Sequence, residues 1–140
     1  MRKVAGRTLW IGNAGDLWNP RVVCDAGISA VVELPDNEAF VSLPRELIRC
    51  RFPLSDGGDN PSWLLRLAAQ TVASLIKAQV PVLVCCSAGM SRSVCVAAAG
   101  ISLVEQIPFA EAVTVLCEDG PADISPRLFQ QIQNAIVTSD

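Results

Sequence analysis

Val82-Leu83-Val84-Cys85-Cys86-Ser87-Ala88-Gly89-Met90-Ser91-Arg92-Ser93 is the stretch on which the reading of this chain turns. With Val80 ahead of it, the run to Cys86 is almost wholly Val, Leu and Cys, the pattern of a central strand buried on both faces. A loop of small residues follows, and Arg92 opens a segment to Val104 that reads as a largely buried helix. In open α/β sheets, ligands bind beyond the carboxyl ends of the strands, where a loop feeds the next helix. Successive backbone N–H groups in such a loop can converge on an anion. A helix starting near Ser91 adds the positive end of its dipole, and Arg92 offers a planar fork that matches two phosphate oxygens. The same field favours a thiolate at Cys86, below the free-thiol pKa of about 8.5. A thiolate beneath a bound phosphate is placed to attack phosphorus.

The spacing is specific. With six cysteines and nine arginines in 140 residues, Cys-x5-Arg alone arises by chance roughly 0.4 times. Requiring Gly three residues after the cysteine and Ser directly after the arginine lowers this to roughly 0.002. The strand before and the helix after reduce coincidence further.

Outward from this segment, strand-like and helix-like patterns alternate. Thr8–Ile11, Ile28–Leu34 and Ile48–Leu54 are short apolar runs stopped by Gly12, Pro35 and the Ser55-Asp56-Gly57-Gly58-Asp59 loop. Asn19-Pro20 and Asn60-Pro61 read as helix starts, cap then first-turn proline, and Gly27 sits just past a helix of about two turns. Leu64, Leu67, Ala68, Thr71, Val72 and Leu75 follow the spacing of an amphipathic helix, which predicts Trp63 as core rather than a substrate platform. Pro108–Glu118 predicts another helix. Ser125-Pro126 opens a last one, with Leu128, Ile132 and Ile136 on one face. Residues 35–47 show no regular pattern. The expectation is an α/β domain, a central mixed and mostly parallel sheet of four to five strands with helices on both faces. One domain over 1–140 is expected, since two cores would each be too small.

Composition narrows the chemistry. Histidine and tyrosine are absent, which removes Ser-His-Asp and Cys-His catalysis and the usual imidazole metal ligands. Any nucleophile must be activated by something other than imidazole. The net charge of −3 gives no broad basic surface for nucleic acid or anionic lipid, so an anion site must be local. The longest apolar run, Val94–Val104, is too short to span a bilayer, and the interrupted start is unlike a signal peptide. The six cysteines lack Cys-x-x-Cys spacing and mostly lie in apolar runs. That predicts free thiols in a reduced, cytoplasmic protein with no metal and no cofactor.

The loop resembles the phosphate-binding loop of the cysteine-based protein tyrosine phosphatases, and Cys86-Ser-Ala-Gly-Met-Ser-Arg-Ser93 is most similar to the dual-specificity branch. Leu9-Trp10-Ile11-Gly12-Asn13-Ala14, Gly27 to Leu34, the Asp56 loop, the helix containing Trp63 and the Ile124-Ser125-Pro126 helix also resemble that family. Only 35–47 matches poorly. The resemblance implies a phosphotyrosine protein phosphatase-like fold and a metal-independent phosphomonoester hydrolase. It implies Cys86 as nucleophile, Arg92 as phosphate clamp, Ser93 assisting the departing thiolate and Asp56 as general acid. Ser87, Ala88, Gly89, Met90, Ser91 and Arg92 would bind phosphate. The implied substrate is a phosphorylated protein, since the uncharged loop lacks the extra cations a polyanion usually wants.

Some readings stay open. Asp59 rivals Asp56, because Asp-Gly-Gly is also ordinary turn chemistry. A phosphate-binding pseudophosphatase, a sulfurtransferase, and a phosphatase of a phosphoinositide or a nucleic-acid 5′-phosphate are the alternative functions. One position departs from the family: Cys85 stands where a histidine normally precedes the nucleophile. Neighbouring strand residues point to opposite faces, so Cys85 is expected to be packed rather than paired with Cys86.

Overall fold

The apolar runs expected as strands at Thr8–Ile11, Ile28–Leu34, Ile48–Leu54 and Val80–Cys86 each contribute a strand to one continuous sheet. The computed structural model describes residues 1–118, 120 and 122–137. The strands are β1 (Arg2–Lys3), β2 (Leu9–Asn13), β3 (Ala30–Glu33), β4 (Ile48–Arg51) and β5 (Val82–Cys86). Their order is β1-β2-β5-β3-β4; β1 runs antiparallel to β2 and every other pairing is parallel. Every residue of β5 is buried, as its unbroken apolar run requires. The two-residue β1 lies in a start that carried no strand pattern, and it joins the sheet only by pairing with Trp10 and Ile11.

The two faces are covered unequally. Four helices pack on one: α2 (Ser62–Lys77), α3 (Arg92–Glu105), α4 (Phe109–Glu118) and α5 (Pro126–Val137). The other carries the six-residue α1 (Pro20–Asp25), a 3-10 turn at Ala14–Trp18, and the irregular 35–47 segment, through Leu17, Val23, Val41 and Leu47. Strand alternation divides the core accordingly. Val82, Val84 and Cys86 join the helical side, while Leu83 and Cys85 join the other.

α3 is the central helix, with Arg92 to Ile101 buried throughout. It lies so close to α2 that a Cβ on Gly100 would stand 2.5 Å from Val72 Cγ1. This contact corrects the expected face of α2. The buried stripe is Leu65, Ala68, Ala69, Val72 and Ala73; of the expected set Ala68 and Val72 lie on it, Leu64 and Leu75 pack partly against the core, and Leu67 is exposed. Small alanines sit beside the fully buried Leu65 where α3 comes close, and of the α2 leucines only Leu67 is exposed. Trp63, expected in the core, is 61% exposed. It is also absent from the lining of the hollow at Cys86. Asn19 and Asn60 make no capping bond to α1 or α2. Asn60 instead closes the Asp56 loop, accepting from Ser55 N at 2.8 Å and donating to Ser55 O at 2.8 Å.

Candidate active site

β5 ends at Cys86 and α3 begins at Arg92, so residues 87–91 must reverse the chain within one short loop. Gly89 makes this possible. Its φ is +73°, and a Cβ there would meet Gly12 O at 2.7 Å, so the turn and the close approach to β2 both require glycine. Ala14 N donates to Ser87 O at 3.4 Å, and Asp123 N donates to Met90 O at 2.9 Å. The loop is thereby held from both sides.

Cys86 is 5% exposed. Its Sγ lies 3.3 Å from Ser93 Oγ and accepts from Ser93 N at 3.4 Å. Ser93 sits in the first turn of α3, so both contacts come from the amino end of the helix. A thiolate at this position would face an N–H, a hydroxyl free to turn its proton inward, and the positive helix end. Ser91, at the cap position, does not cap α3. Its hydroxyl donates to Asp56 Oδ1 and accepts from Ser125 N at 3.0 Å. One side chain thus ties the Asp56 loop, the phosphate-type loop and the start of α5 together.

Arg92 is buried, and its guanidinium is oriented from three directions. Nη1 donates to Leu34 O at 2.9 Å and Leu54 O at 3.3 Å, while Nη2 lies 3.3 Å from Glu38 Oε1. Nε has no protein partner among the described residues. Burial raises the Glu38 pKa, but hydrogen bonds from the Asp36 and Glu38 N–H groups, together with Arg92, outweigh it and hold the carboxyl below its ordinary value. Glu38 lies in the stretch that the sequence left patternless. Only the acidic Asp36-Asn37-Glu38 run could have drawn attention to it.

A hollow of about 290 Å³ opens over Cys86, bordered by Asp56, Ser91, Arg92 and Asp123, with Ser87, Ala88 and Met90 completing the loop side. The sequence-selected residues therefore converge, except that Gly89 turns toward β2. Asp59, the rival acid, is 87% exposed, pairs with Arg127 and does not border the hollow. Asp123 was not foreseen, because a lone Asp after a helix carries no spacing signal. Among the described residues no group of three or more His, Cys, Asp or Glu side chains is gathered as a metal site would need. No described helix is long and apolar enough to cross a membrane.

On the opposite face the strand register sets Gly12, Cys85, Glu33 and Arg51 in one row. Cys85, 2% exposed, borders a second cavity of about 240 Å³ with Leu17, Val41, Glu33 and Arg49. Glu33 pairs with both Arg49 and Arg51. Burial, then the negative charge of Glu33, Cys86 and Asp16, push the Cys85 thiol far above its ordinary range, so it stays neutral. Cys95, inside α3, is pushed up to about 12, mainly by burial. All six cysteines are unpaired.

No protein-family model matches the sequence, and no curated protein matches it either. The likeness is structural. Human DUSP28 superposes with a TM-score of 0.85 at 21% identity, over 98% of this chain and 96% of that one. A mouse putative dual specificity phosphatase, solved as a complex with zinc tungstate, gives 0.84 at 22% identity over 97% and 86%. The human tyrosine phosphatase-like serine/threonine/tyrosine-interacting protein gives 0.78 at 19% identity, covering 94% of each chain. The chain has the fold of the dual-specificity phosphatases, a mixed five-stranded α/β sheet.

Proposed function

We propose that this chain, as one catalytic domain, hydrolyses phosphomonoesters through a cysteinyl-phosphate intermediate on Cys86. The observation that carries the reading is the position of Cys86 Sγ. It lies against the amide and hydroxyl of Ser93, at the floor of a hollow that Arg92 and Asp56 also border. The mouse protein's complex with zinc tungstate, a tetrahedral oxyanion, supports phosphate as the group such a hollow would hold.

In the first step the Cys86 thiolate attacks phosphorus in line, and the bond to the leaving oxygen breaks as Asp56 gives it a proton. Arg92 and the loop N–H groups stabilise the equatorial oxygens. Its Nη1 stays on the Leu34 and Leu54 carbonyls, and Nε and Nη2 are the atoms left for phosphate. An oxygen arriving at Nη2 competes with Glu38, which holds the fork in place beforehand. In the second step Asp56, now a carboxylate, takes a proton from water as the water attacks the phosphocysteine. The thiolate leaves toward the Ser93 hydroxyl. Ser91 contributes by fixing Asp56 over the loop.

The substrate we favour is a phosphorylated protein, because no Lys joins Arg92 at the hollow and a polyanion would find few cations there. A cytoplasmic setting is part of the reading, supported by six unpaired cysteines in a chain whose chemistry needs a reduced thiol. The test is hydrolysis of a small aryl phosphate in metal-free buffer. The parent should turn over; Cys86→Ser should not, yet should still bind tungstate, while Arg92→Ala should lose both. Tungstate binding without turnover in the parent would replace this reading with a phosphate-binding module. Turnover by Cys86→Ser at the parental rate would remove the covalent intermediate.

A further inference from the structure

The hollow over Cys86 has an unusual balance of charge for a site that must receive a phosphate dianion. Arg92 is its cation, and that guanidinium already faces Glu38. Two carboxylate-bearing residues, Asp56 and Asp123, stand on its border, and neither has an ion-pair partner among the described residues. The nearby Asp59 and Arg127 cancel each other by pairing. The remaining border residues, Ser87, Ala88, Met90 and Ser91, are uncharged.

Asp56 has a place in the chemistry proposed above. Asp123 has none, yet its position is held. Its N–H donates to Met90 O at 2.9 Å, and two residues on, Ser125 N donates to the Ser91 hydroxyl at 3.0 Å. One bond to a loop carbonyl and one to a loop hydroxyl therefore pin the 123–125 segment to the loop. Asp123 is also exposed, so its carboxylate meets solvent and whatever approaches with the substrate.

We infer that Asp123 is a specificity determinant that selects phosphorylated peptide segments carrying a Lys or Arg beside the phosphorylated residue, and disfavours acidic neighbours and polyphosphorylated ligands. The inference rests on the phosphatase reading and names the substrate class for the same hollow. The physical reason is charge pairing at a rim. The phosphoryl group is satisfied inside by Arg92 and the loop, while a flanking cation lies within reach of an unpaired carboxylate. A flanking carboxylate or second phosphate there meets like charge. Such exposed pairs are modest, about two- to fivefold in affinity each, and they weaken as salt shortens the Debye length.

The experiment uses three phosphotyrosine peptides that differ only in flanking residues: basic, neutral or acidic. It measures kcat/KM in the parent and, separately, binding to Cys86→Ser. The parent should order them basic, neutral, acidic, with the basic-to-acidic ratio falling as salt is raised. Asp123→Asn should shrink that ratio about two- to fivefold, and Asp123→Lys should invert it. Because each ratio is taken within one variant, a general loss of activity cancels. A parental preference for acidic flanks, or a ratio unmoved by both substitutions, would overturn the inference. A parent that binds the peptides in this order without turnover would keep the inference and reject the hydrolase. Binding of none of them by Cys86→Ser would reject both.

Discussion

Cys85 and Cys86 are adjacent in one strand, yet they sit in two different proteins in miniature. Cys86 belongs to the side packed by α2 to α5, where its sulfur meets Ser93 N and Oγ and the neighbouring loop is tied down by Ser91. Cys85 belongs to the side covered by α1, one 3-10 turn and the 35–47 segment, and the cavity of about 240 Å³ on that side is bordered by both cysteines. The difference teaches where this fold invests its packing. The geometry at Cys86 is built from the dense face, and the opposite face adjusts its surroundings through Glu38, which reaches across to Arg92.

That contrast breaks if groups on the Cys85 side matter as much to the reaction as those on the Cys86 side. The largest expected effect is on the latter. Asp56→Asn should slow hydrolysis of esters with poor leaving groups by roughly 10²–10⁴, and the loss should shrink for leaving groups that are already stable anions. Asp59→Asn should leave that leaving-group dependence as it is in the parent. Rates across a series of aryl phosphates check both; the opposite outcome would move the acid to Asp59.

Packing should show the same asymmetry. Ile101→Ala, in the middle of α3 with its side chain fully buried, should cost about 2–5 kcal/mol of unfolding free energy. Leu17→Ala should cost less, because Leu17 already faces the cavity beside Cys85 and has fewer neighbours to lose. Urea unfolding with matched m-values measures the difference. Equal costs would mean that the thin face is packed as tightly as the helical one.

A subtler effect concerns position 85. Cys85→His would enter a row flanked by Glu33 and Asp16, the carboxylates that already raise the Cys85 thiol. Burial, the first cause of the raised thiol, and Arg49 oppose a charged imidazole there, whereas the two carboxylates favour one, and a cation beside Cys86 favours its thiolate. The inflection in the pH dependence of Cys86 alkylation should therefore move to lower pH in Cys85→His, in a background lacking the other reactive cysteines. An unmoved inflection, with the fold intact, would show that this position does not tune Cys86.

The smallest effect belongs to Glu38. Its folded pKa lies below its ordinary value, so its contribution to stability is present above that ordinary value and is lost as pH falls through the folded one. Glu38→Gln should therefore flatten the acid limb of the stability profile below about pH 4.5 while changing stability at neutral pH by only a fraction of a kcal/mol. Unfolding midpoints between neutral and acid pH check the sign.

The strand, loop and helix from Val82 to Glu105 were legible in the sequence because their causes are local. An unbroken apolar run, a glycine where φ must be positive, and an arginine at a helix start all act within a few residues. The resemblance of Cys86 to Ser93 to a known phosphate loop rests on the same short spacing. The rest was decided by contacts between distant residues. Ser91 meets Asp56 across 35 positions and Arg92 meets Glu38 across 54, and nothing in either segment alone specifies its partner. Asp56 and Asp59 look alike as turn residues; only the folded loop sets one at the hollow and the other against Arg127. The face of α2 was misread for a related reason. Hydropathy alone does not show that the face turns from Leu67 toward Leu65, Ala69 and Ala73, and the close approach of Val72 to Gly100 exists only once both helices are packed.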